Sequence, residues 1–336
     1  MAYYQILYWQ GIPSQVKAWD DFDETKIELP PRFIARIDQA AQALGLTDAH
    51  DYLEQWRWSE TALRDGTPEE VAEALKIDAT RLVQVKLADM LNFLPEVIPA
   101  IQEVTSLPLC IDNPSVEYHK VALKHYDRSK GGAPILNSIA ASRERLDEMI
   151  ELVAEYETLV IVMASEQFVE GGTAPCLNPH DVHAAAKYFV ELLAKKAGCA
   201  NDRILIDPGL APVGADTYGL VNIGLDAMRL IRKDPDLRGV HITVGLSNFA
   251  WGTPKHVRED LERAYLTLGT ETGLDFAIAN PEKSPAPLPA DHTTVQQLRH
   301  ALEQGRASDG ESQETAGFRQ AEAIMEMCNN AAPADT

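Results

Sequence analysis

The chain has 336 residues, of which 45% are hydrophobic and 24% charged, enough apolar material for one large or two smaller globular domains. Its 30 Lys and Arg residues against 51 Asp and Glu residues give a formal net charge of −21, which argues against nucleic acid or an anionic membrane as the main partner. The sequence has no membrane-length apolar run, no secretory signal and no paired cysteines, so we expect a cytoplasmic protein without a disulfide framework or zinc knuckle.

The first 80 residues are rich in aromatic side chains and predict a small α+β domain. Ten of the chain's Phe, Trp and Tyr residues fall there. The sequence predicts a strand over Tyr3–Trp9, then a loop, then a short extended piece over Lys26–Leu29. A helix begins after Pro31, because apolar residues follow at helical spacing. Further helices are predicted over Ala49–Trp58 and from Thr67, where a capping residue precedes a proline.

From residue 107 onward, short apolar runs alternate with longer amphipathic segments. The apolar runs are predicted strands: Leu107–Asp112, Pro134–Asn137, Leu159–Ala164, Ile204–Asp207, Val240–Leu246 and Leu274–Ala279. The segments between them are predicted helices: Val116–His125, Arg143–Tyr156, Pro179–Ala197, Ala227–Arg232 and Pro254–Gly269. Such alternation is typical of a parallel sheet covered by helices. No Gly-rich phosphate-binding motif follows any strand, which favours a (β/α)8 barrel over a nucleotide-binding sheet.

A barrel of this kind needs eight strands, and six are clear in this region. Only Tyr3–Trp9 and Leu82–Leu87 are available as the other two. Residues 10–80 are then an enlarged first crossover, or else a separate small domain fused to an incomplete or open barrel. We divide the chain into a small N-terminal domain over residues 1–80 and a TIM-barrel domain over residues 81–330.

Polar side chains follow four of the predicted strands, at the end where a parallel barrel carries its functional site. They are Asp112 in LPLCIDNP, Asn137 in APILNS, Asp207 in ILIDPG and Asn248 in VGLSNFAWGTP. Each one alone is explained as a helix cap or a turn residue. Four on one rim, with no basic partner in the same motifs, are harder to explain by capping and indicate a binding site.

The four side chains suit a neutral heterocycle better than a phosphate. Two carboxylates and two amides offer several acceptors and the amide donors, and they include no obvious nucleophile or metal set. A carboxylate binds a planar amidine-like edge through two parallel hydrogen bonds, as it binds arginine. A 2-amino-4-oxo-pteridine presents such an edge.

Five motifs carry a family resemblance: LPLCIDNP, PILNS, ILIDPGLAPVG, VGLSNFAWGTP and GLDFAIANP. In order and spacing they resemble those of the pterin-binding methyltetrahydrofolate:corrinoid methyltransferases, relatives of dihydropteroate synthase and of the folate domain of cobalamin-dependent methionine synthase. The resemblance covers residues 88–282. It implies a TIM barrel that binds methyltetrahydrofolate and passes the methyl group to the cobalt of a corrinoid (cobalamin) carried by another protein or domain. Related barrels imply a homodimer.

The resemblance also implies roles for individual residues. Asp112, Asn137 and Asp207 would hold the pterin ring, and Asn248 would lie near N5, from which the methyl group leaves. The usual opening strands of the family are not visible before residue 88. In their place, YQILYWQGIPSQVKA and ELPPRFIARIDQAA resemble a small family of bacterial virulence factors.

Two other functions stay open. ILIDPG also resembles the turn of dihydropteroate synthase, but that chemistry needs a basic pyrophosphate subsite, and Ser247-Asn248 stands where a basic motif would be. A non-catalytic folate-binding or scaffold subunit would fit the missing opening strands and the aromatic N-terminal segment.

Two weaker candidates complete the set. His180 and His183 lie three apart on a predicted helix, which is half of a metal site, but no third ligand is suggested nearby. We therefore expect a solvated helix face there and no metal. Glu166 follows a strand run and is a candidate for lining the pocket.

Overall fold

The computed structural model describes residues 1–30, 32–44, 46, 48–283 and 286–330. The chain divides into two compact units, Met1–Asn92 and Phe93–Thr336, and each is described by itself. Across the described residues, no helix has the length and apolar character needed to cross a membrane.

The first unit contains an antiparallel sheet of five strands. These are β1 (Ala2–Trp9), β2 (Ile12–Trp19), β3 (Glu24–Glu28), β4 (Trp56–Trp58) and β5 (Ala62–Arg64). The strands lie in the order β3-β2-β1-β4, and β5 also pairs with β1. Three helices lie in the part of this unit that the structure describes: α1 (Arg32–Leu44), α2 (Ala49–Leu53) and the start of α3 (Pro68–Val104).

Every second side chain of β2 points into the core of this unit. Ser14, Val16 and Ala18 are buried, and the residues between them are partly exposed. Phe33 of α1 and Val71 of α3 belong to the same buried cluster. One face of the sheet is therefore covered by helices, which is typical of an antiparallel sheet in a small α+β domain.

The predictions for two segments of this sheet are wrong. The segment after Trp9 is not a loop, because Gln10 (φ 45°) and Gly11 (φ 80°) make a tight hairpin turn that leads directly into β2. Pro13 is tolerated inside β2 because the register shifts beside it, as at a bulge. The segment Trp56–Trp58, predicted as the end of a helix, is strand β4 and pairs with β1.

Leu82–Leu87, predicted as a possible barrel strand, is part of α3. That helix begins as predicted, with a reciprocal capping box. Glu70 N–H donates to Thr67 Oγ1 at 3.3 Å, and Thr67 N–H donates to Glu70 Oε2 at 2.9 Å. The other candidate, Tyr3–Trp9, is a strand but belongs to the antiparallel sheet. Neither segment therefore supplies a missing strand of a barrel.

The second unit is built on a parallel sheet whose strands come from the predicted apolar runs. The strands are β6 (Cys110–Asp112), β7 (Ile135–Ile139), β8 (Leu159–Met163), β11 (Ile204–Asp207) and β12 (His241–Ile242). They are hydrogen-bonded in the order β6-β7-β8-β11-β12. The sixth run, residues 274–279, continues this order, since Ile278 N–H donates to Val244 O at 2.8 Å. The predicted α/β architecture with a parallel sheet is confirmed.

The expected closed barrel of eight strands is not found among the described residues. In that part of the chain, no strand pairing joins β6 to residues 274–279. The six runs therefore form an open sheet there, in which the first and last strands are not hydrogen-bonded to each other.

Helices alternate with these strands, and a short hairpin follows β8. The hairpin strands are β9 (Glu166–Val169) and β10 (Gly172–Pro175). The helices are α4 (Val116–Lys124), α5 (Arg128–Gly131), α6 (Leu146–Glu155), α7 (Pro179–Ala197), α8 (Leu220–Lys233), α9 (Lys255–Thr272), α10 (Thr293–Gln304) and α11 (Gln313–Asn330). Helix α8 begins earlier than predicted because Gly224 does not break it. A Cβ there would lie 3.1 Å from Gly209 O, so this glycine allows a close approach.

Asp216 joins the last helix to the start of α8. The Asp216 carboxylate is buried and accepts hydrogen bonds from Leu220 N–H at 2.8 Å and from Val221 N–H at 2.9 Å. It also accepts from Gln320 Nε2 of α11 at 3.1 Å. Because the N-cap residue Gly219 has no side chain, Asp216 satisfies the first N–H groups of α8 in its place.

We expect Gly317→Ala to lower the free energy of unfolding by about 1–3 kcal/mol, the usual cost of overpacking. A Cβ at residue 317 would overlap the backbone of Thr217, which cannot move aside as a flexible side chain can. Chemical denaturation measures this loss. Glu322→Ala, at an exposed position of the same helix, is the control and should change stability by no more than about 0.5 kcal/mol. Equal stability of the two variants would contradict close docking of α11.

Candidate functional site

The four predicted site residues lie at one edge of the parallel sheet. Asp112 ends β6, Asp207 ends β11, and Asn137, the middle residue of β7, is paired with Asp112. Asn248 ends a short 3₁₀ helix, Leu246–Asn248, that follows β12. Because the carboxyl ends of parallel strands meet at the same edge, the fold brings all four residues to one end of this unit.

Asp112 and Asn137 are neighbours on the first two strands. Their backbones are paired in register, and Asn113 N–H donates to Asn137 O at 3.1 Å. The Asn137 side chain is buried, whereas Asp112 is exposed. This part of the edge therefore offers a carboxylate open to solvent beside an amide held in the protein.

Asp207 is a buried carboxylate with little compensation from the protein. The residue is 7% exposed, and among the described residues the one hydrogen bond to its carboxylate is from Gly209 N–H to Oδ1, at 2.8 Å. Burial raises the pKa of Asp207 to about 6, and the bond from Gly209 opposes this only in part. Burying a carboxylate without enough donors costs free energy. A ligand that brings N–H donors to Asp207 would recover this cost.

Gly209 shapes the turn that holds Asp207. Its φ is +86°, and a Cβ at this position would lie 2.7 Å from the Cβ of Ser165 in the loop after β8. Only glycine combines this backbone conformation with such a close approach. The loops after β8 and β11 are therefore pressed together beside Asp207.

Asn248 is an exposed amide on a loop that its neighbours fix. A Cβ at Gly245 would lie 2.9 Å from Asn248 Nδ2, so glycine leaves room for the amide. The next residue, Phe249, is buried, and its carbonyl accepts a hydrogen bond from Val213 N–H at 2.9 Å. This bond ties the Asn248 loop to the loop that follows Asp207.

Tyr265 of α9 connects these two loops from inside the unit. It is fully buried, and its ring centroid lies 4.7 Å from that of Phe249. Burial raises the pKa of Tyr265, and the charge of Asp207 raises it further. Its hydroxyl has no hydrogen-bond partner within the described ranges. No sequence pattern singles out Tyr265, because it lies in the middle of a predicted helix.

Arg143, in the loop after β7, was also missed by sequence reasoning. Its Nε donates to Ser138 O at 3.0 Å, and its Nη2 donates to Ser138 Oγ at 2.8 Å. Asp112 is open to solvent on one side, yet the surrounding protein raises its pKa by desolvation, and the charge of Arg143 opposes that rise. The sequence predicts Arg143 only as the first residue of a helix, so its role depends on contacts that no motif records.

His119 of α4 supports the residue that follows Asp112. It is fully buried, and since a carbonyl only accepts, its Nε2–H donates to Asn113 O, at 2.7 Å. Burial is the main cause that lowers the pKa of His119, to about 4. The imidazole is therefore neutral at physiological pH and acts as a fixed donor.

The weaker candidates have structural partners. His183 Nε2 lies 2.8 Å from Asp234 Oδ2, and within the described ranges no group of three or more His, Cys, Asp or Glu side chains could hold a metal ion. Glu166 Oε1 accepts a hydrogen bond from Ser142 N–H at 2.7 Å and so lies beside Arg143. A shallow depression of about 460 Å³ lies elsewhere, lined by residues 102–106, which precede β6, and by Lys130 of α5.

Known proteins resemble this chain in two regions. Residues 78–280 match the family model described as pterin binding enzyme, and residues 7–81 match the model described as virulence factor. A methylcorrinoid:tetrahydrofolate methyltransferase of Eubacterium limosum is 27% identical over 54% of this chain and 62% of its own length. The methionine synthase of Mycobacterium leprae is 25% identical over 60% of this chain and 16% of its own length.

A solved structure, Yersinia pestis DHPS with a pterine-sulfa conjugate, aligns with 58% of this chain and 71% of its own, at 17% identity and a TM-score of 0.42. The chain spans less than two thirds of the length of the two methyltransferase and methionine synthase relatives. The pterin binding enzyme model nevertheless covers more than half of the chain, including all four residues at the sheet edge. The chain belongs to the pterin binding enzyme family.

Proposed function

We propose that this chain is a cytoplasmic methyltransferase that moves the N5-methyl group of methyltetrahydrofolate to the cobalt of a corrinoid protein. In this proposal the parallel sheet is of the TIM-barrel type, and the pterin binds at its carboxyl edge. The relative from Eubacterium limosum, named for transfer between a methylcorrinoid and tetrahydrofolate, supports the reaction class.

The main support for the proposal is Asp207. Its buried carboxylate accepts one hydrogen bond from the described residues and lies at the same edge of the sheet as Asp112 and Asn137. The pterin has adjacent N–H groups on its amidine edge, and a carboxylate accepts two such bonds in parallel. Asp207 would take this edge, because binding would provide the donors that the described protein does not. Asn137 and Asp112 would hold the rest of the ring's polar groups.

Asn248 would act at the reacting nitrogen. The methyl group sits on a tertiary amine, and the amine anion is a very poor leaving group, so N5 must be protonated or strongly hydrogen-bonded as the carbon–nitrogen bond breaks. A neutral amide cannot supply the proton, which would reach N5 through water, but the amide oxygen can accept a hydrogen bond from protonated N5. Such a contact strengthens in the transition state and is worth about 2–4 kcal/mol.

The nucleophile for this reaction would come from a cofactor that the partner protein carries. The corrinoid supplies a cobalt(I) nucleophile that receives the methyl group. This chain's residues orient the pterin and stabilise charge at N5, so their contribution is position and electrostatics.

Mixing the protein with cob(I)alamin and methyltetrahydrofolate tests the proposal. Formation of methylcob(III)alamin, followed by its absorbance, is the expected result. Binding of methyltetrahydrofolate without transfer would favour the scaffold role, which the unclosed sheet of the described residues also fits. Turnover of a pterin pyrophosphate with 4-aminobenzoate would instead identify a dihydropteroate synthase-like enzyme.

We expect the affinity for tetrahydrofolate to stay constant above about pH 7 and to fall as the pH drops through about 6, where Asp207 becomes protonated. Asp207 must be ionised to accept two N–H groups, so the complex lowers its pKa and the loss approaches tenfold per pH unit. Isothermal titration calorimetry between pH 8 and pH 5 measures this slope. Asp112→Asn keeps Asp207 and should keep the fall. An affinity that does not change down to pH 5 would exclude Asp207 as the anchor.

A further inference from the structure

Ser138 occupies an irregular position in β7. In the pairing of β7 with β8, Asn137 is opposite Ile161 and Ile139 is opposite Val162, so Ser138 is an extra residue, as in a bulge. Ser138 is 3% exposed. A bulged residue leaves the regular ladder, and its buried polar groups need other partners.

Arg143 supplies those partners. Its guanidinium binds both the carbonyl oxygen and the hydroxyl of Ser138, at 3.0 and 2.8 Å. The two bonds use two nitrogens of one rigid planar group, which fixes direction as well as distance. Since Ser138 follows Asn137 directly, this contact fixes the backbone from which the Asn137 amide projects.

The loop that carries Arg143 is held from a second side. Glu166, at the start of the β9–β10 hairpin, accepts a hydrogen bond from Ser142 N–H at 2.7 Å. The charges that act on the Arg143 guanidinium are those of Glu166 and Asp112. His119 of α4 is a further titratable neighbour, which burial keeps neutral. One cation therefore lies among two carboxylates from different strands.

We propose that Arg143 is a positioning residue of the pterin site: it holds the Asn137–Ser138 segment in its bulged form and balances the charge of Asp112. The inference rests on the proposed function, because it assigns Arg143 to the site that would bind the pterin. Arg143 is not one of the four residues that the sequence predicts for this site. Without the guanidinium, Asn137 loses its fixed direction and Asp112 loses its nearby counter-charge.

The charge role is measured on the ligand-free protein. In protein labelled with ¹³C-aspartate, and with the Asp112 signal assigned by Asp112→Asn, Arg143→Met should shift the titration midpoint of Asp112 upward. Arg143→Lys keeps the positive charge and should keep the midpoint close to that of the wild type. Arg145→Met removes a neighbouring arginine paired with Glu117 and Glu148, and should leave the midpoint unchanged. An unchanged midpoint in Arg143→Met would overturn the inference.

The geometric role is measured by binding of tetrahydrofolate. Arg143→Met and Arg143→Lys should both bind about tenfold more weakly or worse, because neither side chain reproduces the two bonds to Ser138. Arg145→Met should bind like the wild type. Wild-type affinity in Arg143→Met also contradicts the inference. If the wild type itself binds no pterin, the proposed function fails, while the titration of Asp112 still decides whether Arg143 balances its charge.

Discussion

Asp207→Asn is expected to weaken pterin binding by about 100-fold while making the protein harder to unfold at pH 8. The binding loss follows because an amide accepts one of the two N–H groups but presents its own NH₂ to the other, and losing a charged, buried hydrogen-bond pair costs about 2–4 kcal/mol. Asn still offers an oxygen to Gly209 N–H, so the turn is kept.

The gain in stability comes from the raised pKa of Asp207, which is about 6 in the fold against 3.8 for the unperturbed group. A folded-state pKa above the unfolded value means that this group lowers stability as the pH rises from about 4 to about 6, and the loss persists above that. Removing the charge recovers up to about 3 kcal/mol at pH 8, at about 1.4 kcal/mol per pKa unit. At pH 4 the two proteins should be equally stable.

Denaturant titrations at pH 8 and pH 4, together with calorimetric binding of tetrahydrofolate, measure both effects. Asp202→Asn is the matched control, because Asp202 precedes the same strand at its other end and is exposed. It should change neither quantity appreciably. A destabilised Asp207→Asn protein would mean that the carboxylate has strong partners within the fold.

Asn248→Ala is expected to slow methyl transfer by about 100- to 1,000-fold, since one contact made in the transition state contributes about 2–4 kcal/mol. The affinity for methyltetrahydrofolate should change only a few-fold, because the other three edge residues hold the ring. Single-turnover formation of methylcob(III)alamin gives the rate, and calorimetry gives the affinity.

Asn329→Ala, an exposed amide near the end of α11, controls for the loss of an asparagine elsewhere and should leave the rate unchanged. Equal losses of rate and of binding in Asn248→Ala would refute a role at N5 and assign the residue to ring binding instead. A normal rate would remove it from the reaction altogether.

The sequence predicts the second unit well because the central strands β7, β8 and β11 are buried along nearly their whole length and stand out as apolar runs. Helix α7 begins and ends at the predicted residues, Pro179 and Ala197, since Asn178 caps one end and Gly198 ends the other in the left-handed conformation. The placement of Asp112, Asn137, Asp207 and Asn248 at one edge follows from the same rule.

The first unit was harder to predict because its signals are short or ambiguous. Leu82–Leu87 is apolar enough for a strand, yet it continues a helix that begins at Pro68 and meets no proline before Pro95.

In the second unit, Arg143 and Tyr265 were missed for another reason. Their importance lies in what they contact across the fold, Ser138 in one case and Phe249 in the other, and no spacing along the chain encodes those contacts.

The parallel strands are ordered in space as they are along the chain. As a result, the residues proposed for ring binding and the residue proposed for the bond-breaking step lie in different stretches of the sequence. The three side chains proposed to hold the ring all precede residue 210, whereas the side chain proposed for the bond-breaking step lies beyond the next crossover. Under the proposed function, we therefore expect some substitutions after residue 240 to stop turnover and to leave ligand binding intact.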